Sequence, residues 1–193
     1  EPQGDLSSLN VTLAQAAQGD EESWRQIVHM YTDRVYGLIY RQCHDQDLAA
    51  EITQATFVQV VQRLGDYREQ GRFEPWLFRI AINRLRDEMR RRRRQARPMA
   101  MQPQEEDKPY IQQVSSEPDP LQKLSQAELI HQLTQAMDQL GEADRQILHL
   151  RHTAGLSFAQ IAQTLNQPLG TVLARGHRAL SKLRKLMTRD DDA

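Results

Sequence analysis

The stretch at residues 156–184 constrains the fold of this chain more than any other part of the sequence. After Ser157, which suits a helix N-cap, apolar residues follow at helical spacing: Phe158, Ile161, Ala162 and Leu165. The sequence Asn-Gln-Pro at 166–168 then ends this helix, and its proline suits the start of another. The stretch therefore predicts two helices joined by a tight turn.

A wheel of about 100° per residue divides the second of these helices into two faces. The predicted buried stripe contains Val172, Gly176, Ala179, Leu180, Leu183, Leu186 and Met187. The predicted exposed face contains Gly170, Leu173, Ala174, His177, Arg178, Ser181, Arg184 and Lys185. A basic face without carboxylates fits the major groove of DNA, although a solvated helical hairpin gives the same pattern.

Charge is distributed unevenly along the 193-residue chain, whose formal net charge is only −1. Seven arginines fall from Arg86 to Arg97, whereas residues 98–127 are mainly acidic and hold five of the eight prolines. Such a segment cannot bury a core, so it predicts an extended linker. We therefore expect an all-α protein with two small helical domains, residues 1–97 and 128–193, joined by the linker 98–127.

Residues 45–64 predict one long helix with acidic residues at its start. Its predicted core face contains Ala49, Ala50, Thr53, Phe57, Val60, Val61 and Leu64. The other face is apolar at Leu48, Ile52 and Ala55, with a polar fringe of Glu51, Gln54, Gln59 and Gln62. An exposed apolar strip with a polar rim indicates a partner surface, unless a neighbouring helix of the same domain covers it.

Aromatic and cationic residues interleave after that helix. The aromatic residues are Tyr67, Phe73, Trp76 and Phe78, and the cations are Arg68, Arg72, Arg79, Arg84 and Arg86. Single-stranded nucleic acid is held in this manner, with bases stacked on aromatic rings and phosphates paired to cations. Phe78, Ile80 and Ile82 are predicted as core, and Trp76 fits either packing or stacking. The arginine run at 90–94 points all around a helix and predicts a grip on phosphates.

Other features limit the possible functions. A lone cysteine, Cys43, excludes an intrachain disulfide and fits a reducing cytoplasm, and no apolar run reaches the length of a membrane span. His149 and His152 lack the further ligands of a metal site. We expect no metal, no cofactor, no small-molecule substrate and no catalytic residue. Two rival classes are a regulator that binds an operator alone and an enzyme acting on DNA.

Three motifs, EITQATFVQV, FEPWLFRIAINRLRDEMRRRRR and LSFAQIAQTLNQPLGTVLARGHRALSKLRK, occur in this order. With them the chain resembles bacterial RNA polymerase sigma factors of the extracytoplasmic-function (ECF) group, which have only the second and fourth conserved sigma domains. The resemblance covers about residues 10–97 and 125–187. It implies a factor that binds core RNA polymerase, directs it to promoters and helps open the minus-ten DNA.

The resemblance also implies roles for individual residues. Contacts to the clamp helices of the largest polymerase subunit would come from Leu48, Glu51, Ile52, Gln54 and Gln59. Contacts to the minus-ten element, as single strand and phosphates, would come from Tyr67, Arg72, Phe73, Trp76, Arg79, Asn83, Arg86, Arg90 and Arg91. Contacts to the minus-thirty-five duplex would come from Thr171, Leu173, Ala174, Arg175, His177, Arg178 and Lys182.

The chain departs from the family pattern at three of its positions. Ala55 stands where the family usually has an acid, and Leu173 and Ala174 replace a common basic-plus-serine pair. The partners that the resemblance implies are core polymerase, through its clamp helices and flap, promoter DNA, and an anti-sigma factor that holds the protein inactive, often at the membrane.

Overall fold

The computed structural model describes residues 3–67, 72–95 and 120–190. Arg68 and the predicted linker between residues 98 and 119 lie outside them. The described residues form α-helices and turns, as the sequence predicts. The helices are α1 Gln3–Ala17, α2 Glu21–Cys43, α3 Gln46–Leu64, α4 Phe73–Gln95, α5 Pro120–Asp138, α6 Glu142–His152, α7 Phe158–Leu165 and α8 Leu169–Asp190.

Helices α1 to α4 form the N-terminal domain. Two of them begin at aspartate caps: Asp20 accepts a hydrogen bond from the Ser23 N–H at 2.8 Å, and Asp45 accepts one from Leu48 N–H at 2.8 Å. Such caps satisfy amide groups that the first turn of a helix leaves unpaired. The core of the domain lies between the helices, and its largest fully buried side chains are Ile27, Tyr31, Leu38, Ile39, Leu48, Phe73, Leu77, Phe78 and Ile82.

Helices α5 to α8 form the C-terminal domain. Leu140 and Leu148 pack with Ala179 of α8 in one small cluster. Seven other buried apolar residues of this domain belong to the same hydrophobic cluster as the core of the N-terminal domain: Ile147, Leu150, Ala154, Leu156, Ile161, Ala162 and Val172. The two helical domains are therefore in direct contact, with α2 and α4 of one packed on α6 and α7 of the other.

The predicted end of the linker at residue 127 is wrong, because α5 begins at Pro120. A proline suits the first turn of a helix, where its missing N–H would have no partner in any case. Residues 120–127 therefore extend the C-terminal domain by about two helical turns.

Candidate nucleic-acid interfaces

The turn between α7 and α8 has the geometry that the sequence predicts. Ser157 caps α7 in a reciprocal arrangement: its hydroxyl accepts from the Gln160 N–H at 3.2 Å, and the Gln160 side chain accepts from the Ser157 N–H at 2.8 Å. Asn166 ends α7 in the left-handed region at φ 52°, which asparagine tolerates better than most residues. The Pro168 carbonyl then accepts from the Val172 N–H at 3.2 Å, so α8 starts directly after the proline.

The exposed face of α8 is confirmed at all eight predicted positions, from Gly170 to Lys185. On the buried stripe Val172, Gly176 and Ala179 are buried, whereas Leu180 is 44% exposed, so its prediction as core is wrong. Leu180 lies at the edge of the stripe, about 80° from Val172 on the wheel. From Leu169 to Arg189 the helix has no carboxylate. Its outward face can therefore meet a polyanion without like-charge repulsion.

Arg175 and Lys182, both predicted to contact DNA, lie on the flank of α8 away from the centre of that face. Arg175 is half-buried, and its Nη1 donates to Oε1 of Gln167 at 3.4 Å. The Lys182 ammonium donates to the backbone carbonyl of Gln139 at 2.7 Å, beside the end of α5. Thr171 is also half-buried. The centre of the exposed face is left to Leu173, Ala174, His177 and Arg178.

The aromatic residues that open α4 are packed on one another. Tyr67 stacks on Trp76 with ring centroids 4.7 Å apart, and Phe73 contacts Tyr31 edge-on at 5.4 Å. Phe73 is only 2% exposed and packs against Tyr31, Tyr67 and Trp76, so its ring is not accessible to a base in this conformation, and its contact to the minus-ten element stays a prediction. Tyr67 and Trp76 are half-buried, and Arg72 beside them is exposed.

Two predicted minus-ten arginines of α4 are bonded to the C-terminal domain. Arg79 Nε donates to the carbonyl of Thr164 at 3.3 Å, and its Nη2 donates to the carbonyl of Gln163. Arg86 Nη2 donates to Oε1 of Gln146 on α6 at 2.9 Å. Both side chains remain exposed to solvent, but each also bonds to the C-terminal domain, which the sequence did not predict. Asn83 of the same helix is exposed.

A second group of bonds surrounds Arg34 of α2. Its Nη1 pairs with Oε1 of Glu74 at 2.6 Å, while its Nε donates to the Ala154 carbonyl at 3.0 Å. The other oxygen of Glu74 accepts from Gln160 Nε2 at 3.0 Å. We call the bonds of Arg34, Glu74, Arg79 and Arg86 to α6, α7 and the turn between them the interdomain contact.

Arg34 was not among the predicted functional residues, although the sequence contains a signal for it. Arg34 lies between Tyr31 and Leu38, at helical spacing within the apolar stripe of α2. A cation in a core stripe requires a partner, because an unpaired buried charge is strongly unfavourable. The signal indicates an ion pair without saying which carboxylate supplies it, and the structure shows a partly exposed pair with Glu74.

The arginine tract at the end of α4 is partly neutralised by nearby carboxylates. Arg91 donates to Glu88 at 2.7 Å and 2.8 Å, and this bond lowers the pKa of Glu88. Arg92 pairs with Asp45 at 2.7 Å; the N–H of Leu48, and then Arg92, lower the pKa of that carboxyl. Arg90 lies 3.8 Å from Asp87 with both side chains largely exposed. The outermost cations of the tract are therefore Arg90, Arg93 and Arg94.

The predicted apolar strip of α3 is not a surface. Leu48 is 1% exposed and Ile52 5%, because both pack into the core of the domain, as the alternative of a covering helix required. Gln59 is half-buried, and its Oε1 accepts from Arg84 at 2.8 Å. Ala50 and Val61, predicted as core, are instead exposed, since the helix is rotated relative to the prediction.

Glu51 and Gln54 of α3 are exposed, as their predicted role requires. Gln54 also lines a shallow apolar groove between α2 and α3 that the sequence did not reveal. The groove is lined by Trp24, Val28, Thr32, Tyr36, Ala50, Thr53, Gln54, Phe57, Val58 and Val61. An apolar groove with polar residues at its edge has the composition of a protein-binding surface.

No group of three or more potential ligands that could hold a metal ion occurs within the described residues. None of the helices in these residues is long and apolar enough to cross a membrane. Burial raises the pKa of the half-buried Cys43 thiol, which disfavours the reactive thiolate.

Two helical domains, one with a helix-turn-helix and one with an arginine-rich helix beside an aromatic cluster, define a DNA-binding factor. The Sigma-70 region 2 family matches residues 27–95, and the Sigma-70, region 4 family matches residues 136–185. The ECF RNA polymerase sigma factor SigE of Mycolicibacterium smegmatis is 34% identical over 98% of this chain and 71% of its own length.

Two further relatives have similar coverage. The RNA polymerase sigma-H factor of Pseudomonas aeruginosa is 31% identical over 88% of this chain and 89% of its own length. The ECF RNA polymerase sigma factor SigW of Bacillus subtilis is 29% identical over 90% of this chain and 93% of its own. The chain belongs to the ECF RNA polymerase sigma factors. It is a transcription initiation factor that directs RNA polymerase to specific promoters.

Solved structures share the fold. CnrH, in complex with the cytosolic domain of CnrY, has a TM-score of 0.66 at 24% identity and covers 93% of this chain and 97% of its own. RpoE of Bartonella quintana, in complex with the anti-sigma factor NepR, has a TM-score of 0.66 at 20% identity and covers 86% of this chain and 98% of its own.

Proposed function

We propose that the protein binds promoters through two separate surfaces: α8 in the major groove of the minus-thirty-five duplex, and α4 with the preceding loop on the opened minus-ten strands. The observation that carries this proposal is the confirmed exposed face of α8. It is cationic, free of carboxylates and preceded by a capped helix and a tight turn. Helix-turn-helix proteins place such a second helix in the major groove.

For the minus-ten element, Arg72, Asn83 and Arg90 are exposed and can contact phosphates without rearrangement. Arg79 and Arg86 are also exposed, but both are bonded to the C-terminal domain, so they would exchange these bonds for contacts to DNA when the interdomain contact opens. The protein makes and breaks no covalent bond in this scheme. Binding energy for the opened strand shifts the duplex toward melting, with a few kcal/mol required for each unstacked base.

For core polymerase, the proposed binding surface is the exposed side of α3 at Glu51 and Gln54, together with the apolar groove between α2 and α3. The clamp helices of the largest subunit are the proposed occupant, and the flap would hold the C-terminal domain. Docking the two domains on separate parts of polymerase would separate α4 from α7 and release the bonded arginines.

We also expect regulation by an anti-sigma factor, since CnrH is described in complex with CnrY and RpoE of Bartonella quintana with the anti-sigma factor NepR. The protein would act in the cytoplasm, where polymerase and DNA are found. Sequestration at the membrane would then depend on the inhibitor.

The proposed function is tested by transcription in vitro with core polymerase and a library of promoter fragments, followed by sequencing of the transcript starts. We expect defined starts preceded by a common two-part element, and tight promoter binding in a gel shift only when core enzyme is present. Arg178→Ala should weaken this binding, while Lys182→Ala, whose ammonium is bonded to the Gln139 carbonyl, serves as the matched control. Tight binding without core enzyme would instead indicate an operator-binding regulator, and no transcript from any template would refute the proposal.

A further inference from the structure

The half of the α8 face nearest the turn differs in chemistry from the rest of the face. Leu173 is 44% exposed, and Ala174 beside it is exposed as well. Leu173 belongs to neither of the hydrophobic clusters formed by the described residues. Further along, the same face carries His177, Arg178 and Arg184. Two apolar side chains therefore occupy the part of the face that follows the turn, and cations occupy the part beyond.

Packing within the described residues does not explain why position 173 is apolar, because Leu173 belongs to neither hydrophobic cluster. A single exposed leucine is common on protein surfaces and by itself implies nothing. Leu173, however, stands on a face whose charge selects a polyanion, at the end of the helix that contacts base edges in helix-turn-helix proteins. The cations around Leu173 would repel a protein partner with basic residues, whereas they attract the phosphates of duplex DNA.

The major groove displays one apolar group to such a side chain, the C5-methyl of thymine. Leucine and alanine side chains have no hydrogen-bond donor or acceptor, so they can read neither the purine edges nor the exocyclic amines. We infer that Leu173 and Ala174 are specificity-determining residues that select thymine in the minus-thirty-five element through contact with its methyl group. This inference rests on the proposed function, because it requires α8 to lie in the major groove.

The inference distinguishes thymine from uracil, which pairs identically with adenine and differs only by the methyl group. Burial of one methyl group changes binding by about fourfold, or about 0.8 kcal/mol at 25 °C. The experiment uses holoenzyme assembled from core polymerase and the full chain. Its probe is a set of duplex fragments of one transcribed promoter, each with one deoxythymidine of the minus-thirty-five element replaced by deoxyuridine.

We expect about fourfold weaker holoenzyme binding at one or two of these positions, and no change when the replacement lies outside the element. Leu173→Ala holoenzyme should bind the parent fragment more weakly and lose the difference between thymine and uracil. Leu180→Ala is the matched control, because Leu180 is equally exposed at 44% on the same helix but lies off the centre of the face. It should keep the full sensitivity of the parent protein.

The possible failures are distinguishable. Holoenzyme that transcribes the promoter but binds every uracil fragment as tightly as the parent fragment would overturn the inference and leave the proposed function intact. Sensitivity that survives in Leu173→Ala, or that is lost in Leu180→Ala, would overturn the assignment to Leu173. Absence of transcription from any template would overturn the proposed function and this inference with it.

Discussion

Helices α8 and α4, the two that we propose to bind DNA, present their cations in different ways. On α8, His177 and Arg178 are exposed and form no hydrogen bond or ion pair with other described residues. On α4, Arg79 and Arg86 are bonded to acceptors of α7 and α6. Hydrogen bonds to charged groups contribute about 1.5–3 kcal/mol when they are shielded from water and less at the surface. The cations of a helix are thus available to DNA only where tertiary contacts leave them free, and each experiment below tests this difference.

The largest expected effect comes from locking the interdomain contact with a disulfide. A Cβ added at Gly37 of α2 would lie 3.3 Å from Cγ2 of Thr153, the residue that follows α6, so cysteines at these two positions would be neighbours across the interdomain contact. In a Cys43→Ser background, the oxidised Gly37→Cys, Thr153→Cys variant should give no transcript with core polymerase. Reduction should restore transcription, because Arg79 and Arg86 can then be released from their bonds to α7 and α6.

The control for this experiment is the oxidised Gly37→Cys single variant, which should retain activity. The oxidised double variant should still bind a short minus-thirty-five duplex as well as the reduced form does, since α8 is exposed in both. Equal transcription by the oxidised and reduced double variants would show that release of Arg79 and Arg86 from the interdomain contact is not needed for transcription.

A second test uses acid, which should act on α6, the helix to which Arg86 of α4 is bonded. Burial, followed by the charges of Arg41, Arg145 and His44, lowers the pKa of His149 on α6 to about 3. Its Nε2 is buried without a hydrogen-bond partner among the described residues. Because the pKa is about 6.5 in the unfolded chain, that state binds more protons between these values. Stability is therefore full above about pH 6.5 and falls as the pH falls toward 3.

Between pH 7 and pH 5 the parent protein should lose about 2 kcal/mol more of its unfolding free energy than His149→Leu, measured by urea denaturation. His152→Leu, at an exposed position of the same helix, is the matched control and should keep the pH dependence of the parent. Identical pH dependence in the parent and His149→Leu would show that protonation of His149 does not cause the loss of stability in acid.

A third test compares one arginine from each helix. Arg79→Ala should lower the unfolding free energy of the isolated protein by about 1 kcal/mol, because two carbonyls of α7 lose their donor. Arg178→Ala should change it by less than about 0.5 kcal/mol, since this side chain is exposed. Arg178→Ala should instead weaken binding of the minus-thirty-five duplex by holoenzyme by about 1–3 kcal/mol. If both variants destabilise the isolated protein equally, the two helices do not differ as described.

The smallest expected effect distinguishes two cations within α8. Arg184→Gln should reduce the slope of log affinity against log salt concentration by about 0.9 for duplex binding, because one phosphate contact is lost. Lys182→Gln should leave the slope unchanged, because its ammonium is bonded to the Gln139 carbonyl. A reduced slope in Lys182→Gln would support the sequence-based prediction that Lys182 contacts DNA.

Sequence patterns predicted the helices and most of the α8 face because these depend on local spacing. The Asp45 and Ser157 caps and the break after Leu165 are all encoded within a few residues. The α3 surface was predicted wrongly at Leu48 and Ile52, since α3 is buried over a wider arc than one wheel face. Whether an apolar side chain is covered depends on neighbours distant in sequence, which one helix wheel cannot contain.

The interdomain contact could not be predicted from the sequence for the same reason. Arg79 and the carbonyl of Thr164 are far apart along the chain, and a backbone carbonyl leaves no mark in the sequence at all. Of the pair Arg34 and Glu74, the sequence indicates only Arg34, through its charge within the apolar stripe of α2. The identity of its partner follows only from the packing of α2 against α4.

The backbone nature of the acceptors of Arg79 has an evolutionary consequence. Exchanging the side chains of Gln163 or Thr164 leaves both carbonyls in place at the negative end of α7. Mutational drift on that side therefore cannot easily remove the bond. The donor of these bonds is the single side chain of Arg79, which on our proposal is also required for promoter opening. Variants that become active without their normal stimulus should consequently arise at Arg34 or Glu74, where loss of a bond leaves the DNA-binding residues intact.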